Sequence, residues 1–180
     1  MTNQAQAMYA LSLDQCVDLI KAVGSKRTIL AQGDMGNGKS SMLTTLAEQL
    51  PTHRPIYFDG TTKDLGDIMI PMIMEIDENS KFVRYVTNEE LGLHTGEPVI
   101  IMIDEFGKAN PSVKLALLRL ILERKIGSYE LHPDSIVYAT TNKGSEGVGD
   151  MLPPHARNRM TVVQVRKSTN MEWIEWGINN

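Results

Sequence analysis

The sequence carries a single cysteine, Cys16, in 180 residues, which excludes an internal disulfide framework and fits a reducing compartment. That cysteine sits in an apolar helical pattern, where a buried structural thiol is expected. No apolar stretch approaches the roughly 18 residues needed to span a bilayer, and the polar segment from Met1 to Ala10 has no basic region of the kind that opens a signal peptide. A cytoplasmic protein without a membrane partner is expected. Lysine and arginine form no block, and the formal net charge is -4, so the long-range field gives no help toward a nucleic-acid backbone. The histidines His53, His94, His132 and His155 show no ligand-type pairing, which argues against a zinc site. Low-complexity tracts and internal repeats are also lacking, which disfavours solenoids and propellers. What is present, 42% hydrophobic and 22% charged residues, is a globular composition. The length suits one core, so residues 1–180 read as a single domain.

Along the chain, strand and helix signals alternate. Ser12 and Gln15 have capping-box spacing ahead of Leu13, Cys16, Val17, Ile20 and Val23, with Gly24 placed for a left-handed C-cap. Thr28 to Gln32 reads as a short buried strand, and Leu43, Leu46, Ala47 and Leu50 as the face of a helix that Pro51 ends. Ile56 to Phe58 makes a brief strand, and Val99 to Ile103 a continuous apolar run of the kind buried on both faces in a parallel sheet. Asn110-Pro111 opens a helix by N-cap and N1 proline, and Gly127 is expected to stop it. Ser135 to Thr141 and Met160 to Val165 complete five strands. Strands alternating with helices predict an α/β three-layer sandwich around a parallel five-stranded sheet. Between the second and third strands, two apolar stretches around Asp77-Glu78-Asn79-Ser80-Lys81 predict a hairpin. Its Met69, Met72 and Met74 would most simply pack in the core, and otherwise form an adaptable gripping surface.

Parallel sheets bind ligands at the carboxyl ends of their strands, and the residues singled out here are expected at such ends. The stretch Gly33-Asp34-Met35-Gly36-Asn37-Gly38-Lys39-Ser40 matches G-x-x-x-x-G-K-[ST] between a strand and a helix. Glycines let backbone N–H groups wrap phosphate oxygens, Lys39 neutralises β and γ charge, and Ser40 would ligate magnesium. The helix that continues through Ser41 adds its positive dipole end. Asp104 and Glu105 close the apolar run from Val99, so Asp104 can hold the metal through its water shell while Glu105 polarises an attacking water. Asn142, at the end of the next buried strand, either orients that water or simply begins a turn with Lys143-Gly144. Arg157 and Arg159 stand just ahead of the last strand, where a planar, permanently charged fork could stabilise charge in phosphoryl transfer.

On these residues the sequence resembles the MoxR-like branch of the AAA+ ATPases, from about Leu11 to Trp176. The carriers are Gly33 to Ser40, Asp104-Glu105-Phe106-Gly107-Lys108-Ala109, Ala139-Thr140-Thr141-Asn142, and Leu152-Pro153-Pro154 leading to Asn158-Arg159-Met160. They look like Walker A, Walker B, sensor 1 and the arginine finger of a P-loop NTPase. Gly107 departs from the Asn that such motifs often carry. The resemblance implies an AAA+ large subdomain that uses ATP and Mg2+, and a ring, commonly a hexamer, in which Arg159, or less readily Arg157, reaches the neighbour's ATP. It further implies remodelling of a protein client, often alongside a von Willebrand factor A domain partner. Residues 67–91 look like the family's insertion lining the ring's pore, and a helical lid would be expected to follow Trp173 and Trp176, leaving their helix partly exposed without it. The competing expectations are a nucleotide-gated binding module without efficient turnover and a DNA-acting motor, the latter disfavoured by the acidic balance.

Overall fold

Alternation of side chains along buried strands builds the two faces of one sheet. In the strand Val99–Asp104, Ile101 and Ile103 join one apolar cluster while Ile100 and Met102 join the other. Such two-sided burial demands cover on both faces. The computed structural model describes residues 10–78, 80–142 and 159–179. Its elements are β1 (Ala10–Leu11), α1 (Leu13–Val23), β2 (Thr28–Gly33), α2 (Ser41–Gln49), β3 (Arg54–Asp59), β4 (Met69–Asp77), β5 (Ser80–Thr87), β6 (Val99–Asp104), α3 (Pro111–Glu123), β7 (Lys125–Ile126), β8 (Tyr129–Glu130), β9 (Ile136–Asn142), β10 (Met160–Val165) and α4 (Asn170–Asn179).

The main sheet has the order β1-β10-β2-β9-β6-β3, and every pairing in it is parallel. It therefore has six strands where the sequence predicts five. The extra strand is the two-residue β1, paired through Ala10 with Gln164 and Leu11 with Val165, and two residues are too few to show any periodicity. Cys16, Val17 and Ile20 of α1 and Met42 and Leu46 of α2 pack on one face against Ile29, Ala31, Ile100, Met102 and Tyr138. Val113, Leu117, Leu120 and Ile121 of α3 pack on the other against Leu30, Ile101, Ile103, Val137 and Ala139. Burial pushes the Cys16 thiol up to about 11, so it stays protonated at neutral pH.

The N-terminal signals hold. Ser12 Oγ accepts from the Gln15 N–H at 3.2 Å while Gln15 Oε1 accepts from the Ser12 N–H at 2.9 Å, and Asn110 Oδ1 accepts from the Ser112 N–H at 3.0 Å. Two C-terminal signals do not. Gly24 caps α1 with right-handed φ -61°; its lack of a Cβ matters for packing, since that atom would lie 2.8 Å from Ile136 Cγ2. Helix α3 ends earlier than expected, on Arg124 at φ 60°, and Gly127 instead turns the small hairpin β7–β8.

The hairpin expected around residues 77–81 is β4–β5, an antiparallel pair separate from the main sheet. Core packing fails for its central methionine. Met72 is half-exposed, along with Ile70, Ile73, Phe82, Val83 and Tyr85, and only Met69 packs against the apolar cluster below. Both sides of a two-stranded ribbon cannot be covered by one core, and this ribbon leaves them open. Among the described residues, no helix is long and apolar enough to cross a membrane.

Candidate functional site

Three neighbouring strands deliver the site. The strands β2, β9 and β6 lie side by side, and Gly33 pairs with Asn142 where β2 and β9 end. Beyond Gly33 the chain turns through Gly36 at φ 79° and Gly38 at φ 75° before α2 begins at Ser41. These positive values are ones that only glycine adopts without strain, so the loop curls tightly over the strand end. Asp34, Met35, Gly36, Gly38, Ser40 and Ser41 are exposed along it, and Asn37 is buried with its amide directed at the Val165 carbonyl, 3.4 Å away.

Lys39 folds inward. Its ammonium donates to the carbonyls of Gly33 and Asp34 at 3.0 and 2.9 Å and to Asn142 Oδ1 at 2.9 Å. Burial lowers its pKa, partly opposed by the charges of Glu105, Asp104 and Asp34. Asn142 in turn donates through Nδ2 to Glu105 Oε1, so one amide bridges the cation and the carboxylate. The other carboxylate oxygen, Oε2, accepts no hydrogen bond but lies 3.2 Å from the Lys108 ammonium as an ion pair. Glu105 also has φ 50°, a left-handed conformation rarely adopted by a residue with a side chain.

Asp104 is held from three directions. Its Oδ1 accepts from the Glu105 N–H at 3.0 Å and from the Thr140 hydroxyl, and its Oδ2 accepts from the Tyr57 hydroxyl at 2.9 Å. Burial first, and then the bond to Asp104, push the Tyr57 phenol up to about 12, which keeps it a donor at neutral pH. Sequence reasoning missed Tyr57, and it named Thr140 only within a motif, without its bond to Asp104. A threonine fully buried within an apolar strand is a readable signal for a polar role, but Tyr57 gains its partner only through the register of β3 on β6.

The structure thus brings Lys39, Asn142, Glu105 and Asp104 into one network beside the glycine loop. Arg159 is elsewhere. Met160 pairs with Thr28, so Arg159 lies exposed at the amino end of β10, about 20 Å along the strands from Gly33. The expectation that every candidate residue sits at a carboxyl end is corrected for this one, because parallel pairing puts the start of β10 opposite the start of β2. Arg157 lies outside the described residues. A cavity of about 310 Å³ adjoins the loop, lined by Leu13, Gly36, Asn37, Gly38, Ser41 and Trp173 among others. Trp173, like most of the described side chains of α4, is exposed.

The donors suit a hard divalent cation carried by phosphate. Ser40 stands just before α2 as its N-cap and makes no side-chain capping bond, leaving a hydroxyl at the loop's end, and Asp104 retains acceptor capacity on Oδ2. No group of three or more His, Cys, Asp or Glu side chains could hold a metal among the described residues. Magnesium fits such a site because it keeps several waters and takes few protein ligands.

No family model and no curated protein matches the sequence. Solved structures do match the fold. An ATPase candidate from Cytophaga hutchinsonii aligns at TM-score 0.59 with 17% identity, over 94% of this chain and 51% of that one. The RuvB Holliday junction branch migration motor of Thermotoga maritima aligns at 0.56 with 19% identity over 91% and 47%, and NtrX from Brucella abortus at 0.55 with 17% identity over 87% and 37%. The chain spans about half the length of these relatives or less. The likeness is one of fold, an α/β sandwich around a parallel sheet of the P-loop NTPase type.

Proposed function

We propose that this chain binds Mg-ATP and hydrolyses it at an interface between copies of itself. Turnover would drive remodelling of a protein client in the manner of MoxR-like proteins, within a ring such as a hexamer and with a von Willebrand factor A domain as one form of partner. The observation that carries this reading is the continuous path Lys39–Asn142–Glu105 beside Asp104, at the ends of three adjacent strands.

The chemistry follows from those groups. Backbone amides from Gly33 to Ser41 and the start of α2 would bind the phosphates, and Lys39 would exchange its carbonyl partners for phosphate oxygens. Ser40 and Asp104 would hold the metal, which, when bound, neutralises charge developing between the β and γ oxygens. Glu105 would take a proton from the attacking water, and Asn142, already bonded to that carboxylate, would fix its direction. Arg159, too distant to serve its own chain's site, would act on a neighbour's.

The exposed apolar ribbon β4–β5 supports a client-gripping role and a place facing the ring's pore. The likeness to a branch migration motor favours one competing reading, action on DNA; salt-sensitive DNA binding tests it. The direct test of the main reading is Glu105→Gln. ATP affinity should survive while the hydrolysis rate falls by about a hundredfold or more, as expected for loss of a general base. Binding without turnover in both the original protein and the variant would favour the nucleotide-gated module instead.

A further inference from the structure

We infer that Tyr57 is a positioning residue for the metal-binding carboxylate, acting through Asp104. This rests on the reading of Asp104 as the magnesium partner and adds a residue that the motifs do not contain. The placement begins with sheet geometry. Tyr57 pairs with Met102, so Asp104 is its diagonal neighbour two residues along β6. Ile56 and Phe58 point into the α3-side cluster, which puts Tyr57 on the opposite face with Met102 and Asp104. An aromatic side chain can span such a diagonal, and its hydroxyl reaches Asp104 Oδ2 at 2.9 Å.

An ionised carboxylate offers about four acceptor positions, two on each oxygen. On Asp104, Oδ1 is filled by the Glu105 N–H and the Thr140 hydroxyl, and Oδ2 receives Tyr57 alone. One position on Oδ2 is left for a water of the metal's shell. The tyrosine therefore fixes both the plane of the carboxylate and the lone pair that it presents. Its bond is charge-assisted, the stronger class of hydrogen bond, and β3 is the outermost strand on that side, so no further strand shares the hydroxyl. The ring is 53% exposed and belongs to neither apolar cluster. Packing alone does not call for tyrosine there.

Tyr57→Phe removes the donor and keeps the ring. Isothermal titration of the 180-residue variant with ATP in EDTA should give the affinity of the original protein, because the phosphate loop is untouched. Titration of the ATP-saturated protein with Mn2+, followed by electron paramagnetic resonance, should show metal binding about tenfold weaker, the scale of one lost bond to a charged group. Unchanged or tighter Mn2+ binding would overturn the inference, since the hydroxyl would then be idle or a competitor for Oδ2. If the original protein binds neither ATP nor Mn2+, the ATPase reading itself fails, a distinguishable result. Should Tyr57→Phe not fold, Tyr57→Leu carries the same comparison, with thermal unfolding as its control.

Discussion

Glu105 holds a backbone conformation that its side chain makes costly, and it does so next to the carboxylate that closes β6. The left-handed φ of 50° swings its side chain back over the strand ends toward Asn142, where an extended residue would project past them. Strain of this kind persists where the surroundings over-determine it, and here the Asn142 amide and the Lys108 ammonium do so. Asparagine tolerates the left-handed region far better than glutamate. Glu105→Asn is therefore expected to raise unfolding stability by about 1 kcal/mol while ending hydrolysis, the trade between stability and activity seen at strained sites. Denaturant unfolding beside a phosphate-release assay checks both, and a destabilised variant would show that the site is not strained in the way its φ suggests. That Lys39, Asp104, Glu105 and Asn142 gather in one place was legible in the sequence, because each lies at or beyond the end of a buried strand at a motif's spacing. Their connections were not. That Asn142 joins Lys39 to Glu105, and that Tyr57 and Thr140 grip Asp104, depends on which strands lie adjacent, and spacing along one chain does not encode adjacency.

At the scale of elements, long apolar periods were the readable ones. The strands β2, β6, β9 and β10 and helices α1 and α3 bury residues at the spacing that the sequence displays, whereas the two-residue β1 and the hairpin β7–β8 exist only as pairings. The ends of α1 and α3 were misread for a related reason. Gly24 serves close packing rather than φ, and Arg124 takes the left-handed cap with its guanidinium donating to the Gly24 carbonyl at 2.9 Å, a tertiary bond. Helix α4 is held differently from the others. Met171, Trp173, Ile174 and Ile178 are all exposed, and the helix is tied to the end of β10 through Arg166, which donates to Glu172 at 2.8 and 2.5 Å. Together with the Thr169 N–H, that guanidinium pulls the Glu172 carboxyl down to about 2 from an ordinary 4.5. A depressed carboxyl stabilises the fold fully above its ordinary value and loses that contribution as pH falls through the folded value. Helix α4 should therefore fray between about pH 4.5 and 2, and earlier in high salt, which screens an exposed pair. Helical circular dichroism across that range checks it. Glu172→Gln should already show the frayed signal at pH 7, and a helix indifferent to both changes would mean that packing, not the ion pair, holds it.

For the whole molecule, the decisive geometry is the distance between Arg159 and the network that a single chain assembles. Parallel pairing of β10 with β2 puts Arg159 and Gly33 at opposite ends of the sheet, so no rearrangement short of breaking the sheet brings that guanidinium to its own chain's phosphate loop. If the arginine takes part in turnover, a second copy must supply the loop. This separates the ring reading from a lone enzyme without any measurement of size. Lys39→Ala should lose ATP binding and Arg159→Ala should bind ATP but turn over poorly, each inactive alone. In an equal mixture, the Arg159→Ala chain offers an intact site to the intact arginine of a Lys39→Ala neighbour. Random assembly puts those two side by side at about one interface in four, so activity near a quarter of the original should return, rising with protein concentration. A mixture as silent as its components would remove Arg159 from the neighbour's site. Arg157→Ala in place of Arg159→Ala then asks the same question of the other arginine, and full activity in either single variant eliminates that residue.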